Sequence, residues 1–163
     1  MSSGDTEEET LRKMDLKVRE IMSPNPLTIP ADATVMKAAK AMEKHDSSCV
    51  FAKSKGKIVG IITERDITWR VVGKGASPKT TKVKSVMTSR IVVTSPDASI
   101  EEALKVMTTN KVRRLPVVDE KGDLVGLVGT ADVAKALAEK AGYSTSLISG
   151  MTKETPPPSG VYG

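Results

Sequence analysis

The sequence predicts an α+β fold made of two β-α-β-β-α repeats that pack on each other with pseudo-twofold symmetry. Residues 18–42 and 49–67 reappear, in similar form, as residues 83–107 and 115–133. A unit of about 65 residues present only twice is too long for a solenoid repeat. One copy alone also buries too little surface to be stable. We therefore expect both copies to share one core and to enclose clefts between them.

Composition divides the chain into five segments. The first repeat is predicted over residues 16–75 and the second over residues 83–142, joined by a linker at residues 76–82. Residues 1–15 form a polar tail, and residues 143–163 form a second tail that contains three consecutive prolines. Proline with flanking Gly and Ser favours extended chain without a packed core in the second tail. The first tail is expected to be frayed, with a short helix over EEETLRKM as the alternative.

Each repeat begins with a short strand followed by an amphipathic helix. The strands are predicted at residues 27–29 and 91–94. Thr34 and Ser99 stand at the helix starts, where a hydroxyl can cap free amides. Helical spacing of three, four and seven connects the apolar positions Val35, Ala38, Ala39 and Met42, and likewise Ile100, Ala103, Leu104 and Met107.

A β-hairpin and a second helix complete each repeat. The apolar runs are CVFAK and KIVGIIT around SKG in the first copy, and LPVVD and DLVGLVG around EKG in the second. Short Gly-containing connections between such runs indicate hairpins. The second helices are predicted over residues 67–72 and 133–141, with Gly142 ending the latter.

Composition restricts the compartment and the chemistry. With one cysteine and one histidine, the chain has no internal disulfide framework and no usual zinc site, so no metal is expected. Cys49 lies in an apolar strand pattern and is expected to be a small buried side chain rather than a nucleophile. No run of about 18 apolar residues predicts a membrane span, and the acidic start is unlike a signal peptide. We expect a soluble, cytoplasmic protein.

The positive charge lies in the repeats. The net charge is +5, whereas residues 1–16 carry −3 and residues 143–163 carry zero, which leaves +8 for the region between. This charge favours an anionic partner, either a phosphate ligand or nucleic acid. Aromatic residues for base stacking make up only 2% of the chain, which makes nucleic acid the weaker prediction. A solvated, lysine-rich surface is the alternative interpretation.

A G-x-x-T-x-x-D-like segment joins the last strand of each repeat to its second helix. Residues 60–66 read GIITERD and residues 126–132 read GLVGTAD. The starts IMS and VMT and the run RRLPVVD accompany these segments. Over roughly residues 16–142 the chain resembles a tandem pair of cystathionine-β-synthase (CBS) domains, also called a Bateman module.

The resemblance implies a regulatory module that binds AMP, ADP or ATP, or S-adenosylmethionine, in the clefts between repeats. The motif Asp of such modules holds the ribose hydroxyls, and the motif Thr or Ser lies near the ribose and phosphate. A Thr on the first strand of the opposite repeat and basic residues before the L-P-V strand complete the site. These roles are physically reasonable, because a carboxylate can accept from both hydroxyls of a diol and arginine forks match phosphate.

Transferred by position, these roles give two predicted clefts. One combines Thr130, Asp132, and Arg113 or Arg114 with Thr28 of the first repeat. The other combines Thr63, Arg65 and Asp66 with Val93 or Thr94 of the second repeat.

The copies differ at the predicted site. Gly129 replaces the usual motif hydroxyl. If a one-residue insertion lies near Asn110, residues 47–48 (Ser-Ser) stand where the second copy has residues 113–114 (Arg-Arg). Neither cleft therefore has a full set of family residues, and occupancy of one cleft, both or neither stays open.

Structural roles are the alternative for the same residues. Asp66 and Asp132 begin helices, where Asp is a favoured N-cap. Thr63 can satisfy backbone groups at a strand end, and the arginine pair can be surface charge or a dimer contact. Trp69 is expected to pack in the core or at an interface rather than stack on a base.

No catalytic set is visible, so the chain is not predicted to be an enzyme and needs no obligatory cofactor. It has no Ser-His-Asp combination and no GxxxxGK phosphate loop. The resemblance implies a homodimer formed through helices, and output through a regulated protein that the sequence does not identify. Compatible small or flexible helix residues are Met36, Met42, Met107, Ala134 and Ala138.

Overall fold

Two three-stranded sheets, one for each repeat, form the frame of residues 15–142, the part of the chain that the computed structural model describes. The first sheet has the order β2-β3-β4, and the second has the order β1-β6-β5. The strands are β1 (Ser23–Pro24), β2 (Thr28–Pro30), β3 (Cys49–Ser54), β4 (Lys57–Thr63), β5 (Arg114–Val118) and β6 (Leu124–Gly129). Both predicted hairpins are confirmed, because β3 pairs antiparallel with β4 and β5 with β6.

Helices connect and cover the strands. They are α1 (Val18–Ile21), α2 (Val35–His45), α3 (Glu64–Asp66), α4 (Val83–Val86), α5 (Ile100–Asn110) and α6 (Thr130–Lys140). After α3 the chain continues as a π-helical turn, Ile67–Val71, and a 3₁₀ turn, Val72–Lys74. None of the described helices is long and apolar enough to cross a bilayer.

The predicted hydroxyl caps are confirmed at both long amphipathic helices. Thr34 Oγ1 accepts the backbone N–H of Lys37 at 3.3 Å, and Ser99 Oγ accepts that of Glu102 at 3.1 Å. The Glu102 carboxylate reaches back to the Ser99 N–H at 2.8 Å, which completes a capping box. Local sequence therefore fixes where α2 and α5 begin.

The two repeats exchange their first segments. Strand β1 precedes the first repeat's own sheet but pairs antiparallel with β6 of the second repeat, with Ser23 opposite Leu127. Reciprocally, Thr88 follows α4 and bonds to β4 of the first repeat, where it donates to the Ile61 carbonyl at 2.8 Å and accepts its N–H at 2.9 Å. This exchange gives the molecule its pseudo-twofold symmetry.

The same exchange appears in the core. Val18 of α1 is fully buried among residues of the second repeat, and Val83 of α4 among residues of the first. Met42 and Met107, 5% and 2% exposed, pack in the cores of their own repeats. These two methionines are therefore not available for a dimer surface, which corrects that part of the expectation. Cys49 is 3% exposed, as predicted for a small buried side chain.

Glycine permits the exchanged segments to approach the sheets. A methyl group at Gly126 would lie 2.5 Å from the Met22 sulfur, and one at Gly60 would overlap the Met87 thioether. At either position the added methyl would therefore lie much closer to the methionine than the usual contact distance of about 3.5–4.0 Å. The matched pairs Met22 with Gly126 and Met87 with Gly60 thus occupy equivalent places in the two repeats.

The hairpin registers correct the predicted alignment of the two copies. Cys49 pairs with Thr63 in the first hairpin, and Arg114 pairs with Gly129 in the second. Helices α2 and α5 have equal length and are followed by their strands at equal distance. The one-residue insertion therefore lies in the turn of the second hairpin and not near Asn110.

The arginine pair consequently corresponds to a different pair of residues. The Arg113 carbonyl accepts the Thr130 N–H at 3.0 Å, just as the Ser48 carbonyl accepts the Glu64 N–H at 3.2 Å. Arg113 thus corresponds to Ser48, and the alignment that placed Ser47 opposite Arg113 was wrong by one residue. The polar composition of both loops gave no sequence signal for locating the insertion.

Candidate functional site

The first motif forms a complete capping box where β4 meets α3. Thr63 Oγ1 accepts the Asp66 N–H at 3.3 Å, and Asp66 Oδ2 accepts the Thr63 N–H at 2.9 Å. The Thr63 hydroxyl also donates to Asp66 Oδ2 at 3.1 Å. Thr63 is the N-cap and Asp66 the third helical residue, so the alternative that Asp66 is itself an N-cap was wrong.

The second carboxylate oxygen of Asp66 faces the other repeat. Thr88 donates its hydroxyl to Asp66 Oδ1 at 3.4 Å, and the Arg70 Nε lies 3.7 Å from the same oxygen. Arg70 Nη1 also donates to the carbonyls of Val86 at 2.9 Å and Met87 at 3.1 Å. Asp66 is only 7% exposed. Both oxygens of this motif carboxylate are therefore engaged within the protein.

The second motif is only half closed. Gly129 has no hydroxyl to offer, and Asp132 Oδ2 accepts the Gly129 N–H at 2.8 Å. Within residues 15–142, Asp132 Oδ1 accepts no hydrogen bond. Burial raises the pKa of Asp132, while the Gly129 N–H and the charges of Lys135 and Arg114 oppose that rise. Asp132 is thus a half-buried carboxylate with one oxygen open to a ligand.

Three predicted ligand residues belong to the segments that meet at the second motif. Arg113, Arg114 and Thr130 are exposed, and their side chains make no hydrogen bond or ion pair with other described residues. The positive charge of Arg114 acts on Asp132 and also opposes the burial that raises the pKa of the Cys49 thiol. Arg114 pairs with Gly129 across the second hairpin and is therefore close to the second motif.

Thr28, the residue predicted to complete this cleft, lies at the exposed start of β2. It borders a groove of about 250 Å³ together with Ile29, Pro30, Lys53, Lys55 and Gly56. Ligand pockets usually measure about 300–1,000 Å³, so this groove alone holds only part of a nucleotide. Lys53 and Lys55 were not predicted from the sequence, because isolated surface lysines carry no motif.

The remaining predicted residues of the first cleft do not meet Asp66 as expected. Thr94 is 8% exposed and its backbone bonds to β5 of its own repeat. Val93 is 45% exposed. The hydroxyl that the second repeat presents to Asp66 belongs to Thr88, which the sequence had placed only in the VMT start.

Arg65 is directed along the helix surface. Its guanidinium lies 5.1 Å from the centre of the Trp69 ring, within the range of a cation–π contact. Trp69 is 64% exposed, so the expectation that it packs in the core was wrong. Its role at an interface stays a prediction.

Arg70 is the site residue that sequence reasoning missed. It lies four residues after Asp66, a spacing at which side chains on a helical segment meet. That spacing was the available signal, but Arg70 falls outside the G-x-x-T-x-x-D segment. Ala136 occupies the same place after Asp132 and is buried, so the second motif has no equivalent cation.

Comparison with known proteins identifies the repeats. The family model of the CBS domain matches residues 18–73 and residues 83–139. The inosine-5'-monophosphate dehydrogenase of Methanocaldococcus jannaschii is 38% identical over 120 residues, which are 73% of this chain and 23% of that enzyme. The chain thus spans about a quarter of that relative's length.

Solved structures share the fold. A signal-transduction protein with CBS domains from Burkholderia ambifaria superposes with a TM-score of 0.72 at 29% identity, covering 79% of this chain and 98% of that one. The CBS domain pair of protein MJ0100, solved with 5-methylthioadenosine and S-adenosyl-L-methionine, gives a TM-score of 0.69 at 26% identity, covering 77% and 98%. The predicted α+β fold with two repeats is confirmed, and the chain belongs to the CBS-domain family.

Proposed function

We propose that this CBS pair is a non-catalytic regulatory module that binds an adenine nucleotide (AMP, ADP or ATP) beside the second motif. One observation carries the proposal. Among residues 15–142, Asp132 keeps one oxygen without a hydrogen bond and is acted on by the charge of Arg114, whose side chain has no partner, whereas both oxygens of Asp66 are engaged. No side-chain oxygen that is buried within residues 15–142 lacks a hydrogen bond, so Asp132 Oδ1 is accessible and can exchange water for a donor of the ligand.

The chemistry of the second motif suits a nucleoside phosphate. Asp132 Oδ1 can accept a hydroxyl of a ribose diol in a charge-assisted hydrogen bond. Arg113 and Arg114 can each present a planar fork to phosphate oxygens. The exposed hydroxyls of Thr130 and Thr28 are further polar groups that we expect the ligand to contact. These residues together account for recognition of both the sugar and the phosphate.

Regulation requires that the ligand distinguish two arrangements of the repeats. A ligand shifts such an equilibrium only by its differential affinity for the two states. Because the cores share α1 and α4 across the repeats, a change at one motif is transmitted to both sheets. Output to a regulated protein, cytoplasmic location and homodimerisation through helices complete the proposal. Trp69 and Val72, 64% and 70% exposed, are candidate apolar contacts for the dimer.

Thermal unfolding and calorimetry with AMP, ADP, ATP, GTP and S-adenosylmethionine test the proposal. Free adenine nucleotide at about 100 times its Kd should stabilise the fold by about 2.7 kcal/mol. Asp132→Asn should abolish that stabilisation, because the amide keeps the Gly129 contact but loses the charge. Glu139→Gln, which removes an exposed carboxylate from the same helix, is the matched control and should bind as the unaltered protein does.

Two results would contradict the proposal. One is the absence of any stabilisation by an adenosine ligand at millimolar concentration. The other is unchanged nucleotide affinity in Asp132→Asn. Selective stabilisation by S-adenosylmethionine would keep the site but change its ligand, as in the MJ0100 pair. The nucleic-acid alternative predicts instead that log affinity for single-stranded nucleic acid falls steeply with log salt concentration.

A further inference from the structure

Arg70 occupies the position where a ligand of the first motif would bind. Its guanidinium lies against Asp66 Oδ1 and at the same time donates to the Val86 and Met87 carbonyls at the end of α4. It therefore joins the motif carboxylate of the first repeat to the exchanged segment of the second. A ribose hydroxyl that bonds to Asp66 Oδ1 competes with this cation and with the Thr88 hydroxyl for the same oxygen.

The second repeat has no comparable group. Ala136, at the position of Arg70, is 7% exposed and packs with Ile100 and Val133. Lys135 acts on Asp132 only through its charge and makes no ion pair with it. The two motifs thus differ by one internal cation, in addition to the difference between Thr63 and Gly129.

We infer that Arg70 is a specificity-determining residue that closes the first cleft, so that each chain binds nucleotide at the second motif alone. The inference rests on the proposed function for the choice of ligand. Arg70 pairs with Asp66 by charge at 3.7 Å, whereas its hydrogen bonds go to the Val86 and Met87 carbonyls. A ligand that displaces Arg70 loses a charge-assisted hydrogen bond of this kind, which weakens the ligand by about tenfold to a hundredfold. The Arg70 side chain is 49% exposed, so it can leave Asp66 without the fold opening.

Calorimetric titration of the full chain with ADP counts the sites. The unaltered protein should show one site, which Asp132→Asn removes. Arg70→Ala should show a second site at the first motif, where its affinity for ADP should be at least about tenfold higher than that of the unaltered protein. Adding Asp66→Asn to Arg70→Ala should remove this second site. Lys74→Ala deletes an exposed cation a turn further along the same segment and should leave one site. If Arg70→Ala does not fold, Arg70→Met replaces it, because Met keeps a long side chain but removes the cation and its donors.

The outcomes separate this inference from the proposed function. One ADP site in both the unaltered protein and Arg70→Ala would overturn the inference while the proposed function stands. Weaker ADP binding in Arg70→Ala would show that Arg70 binds the ligand, which also overturns it. If the unaltered protein binds none of AMP, ADP and ATP, the proposed function fails. In that case, an ADP site that appears only in Arg70→Ala and is lost when Asp66→Asn is added would still support the inference about Arg70. If no such site appears, the inference is overturned.

Discussion

Replacing Gly126 by alanine tests the exchange of first segments between the repeats. The added methyl would lie 2.5 Å from the Met22 sulfur and 3.2 Å from the Ser23 carbonyl oxygen, whereas carbon contacts are normally about 3.5–4.0 Å. Overpacking of this kind costs about 1–3 kcal/mol of unfolding free energy. For a chain of this size each kcal/mol lowers Tm by about 2–4 °C. We therefore expect Tm to fall by about 2–12 °C.

A double-mutant cycle with Met22→Ala gives the decisive measurement. Removal of the thioether opens the space that the new methyl needs, so the penalty of Gly126→Ala should shrink in that background. Denaturant unfolding of the four proteins should give a coupling of about 1 kcal/mol or more. Gly73→Ala, on the 3₁₀ turn, is the control and should cost the same in both backgrounds. Equal penalties for Gly126→Ala in both backgrounds would refute the pairing of β1 with β6.

Three further predictions concern the motifs and one surface pair. Thr63→Ala should lower the unfolding free energy, measured by urea denaturation, by about 1 kcal/mol, because it removes a helix cap. Thr130→Ala should change that free energy by less than about 0.5 kcal/mol, because the Thr130 hydroxyl caps no helix. Because folding raises the pKa of Asp132, the ionised side chain opposes folding, and stability is lost as pH rises through the folded pKa. Asp132→Asn should therefore raise Tm at pH 7, and the gain should vanish below the unfolded pKa of about 3.9. The Lys84 hydrogen bond and charge lower the pKa of Asp32, so an NMR titration of Lys84→Ala should show that pKa rising.

Each of these has a contrary result. Equal losses in the two threonine variants would mean that the capping box does not stabilise α3. A gain in Tm for the Asn variant that persists at pH 3 would show that it does not come from removing a charge. An unshifted Asp32 titration would mean that its ion pair with Lys84 is not formed in solution.

Most elements of the fold were predictable because they depend on local pattern. The strand predicted over residues 91–94 was wrong, because only Thr94 makes an isolated bridge there, to Val117. Helical spacing located α2 and α5, and hydroxyls at Thr34 and Ser99 located their starts. The second helices begin at residues 64 and 130, three residues before their predicted starts at 67 and 133. The apolar periodicity starts only after the motif Asp, which belongs to the first helical turn and bonds backward to the N-cap residue. Periodicity therefore could not show this first turn.

The exchange of segments could not be predicted in the same way. Strand β1 has two residues, one of them proline, and its partner lies about a hundred positions later in the chain. The Thr88 bridge to Ile61 is likewise a single long-range contact. Such pairings depend on how the repeats pack, which no local pattern reports. The contact of Arg70 with Asp66 was missed for the same reason, because the carbonyl groups that hold Arg70 in place belong to the other repeat.

The exchange also explains how duplicated motifs can have unlike roles. In each repeat the motif carboxylate sits where its own strand ends, close to the other repeat's first segment. In the first repeat that segment supplies the Thr88 hydroxyl and the carbonyls that hold Arg70 against Asp66. Any rotation that separates α4 from the π-helical turn must break these carbonyl bonds and free the carboxylate. If nucleotide at Asp132 favours one arrangement of the repeats, the same free energy acts on the Arg70 contact, and by linkage ADP bound at one motif of Arg70→Ala should change the affinity of the other.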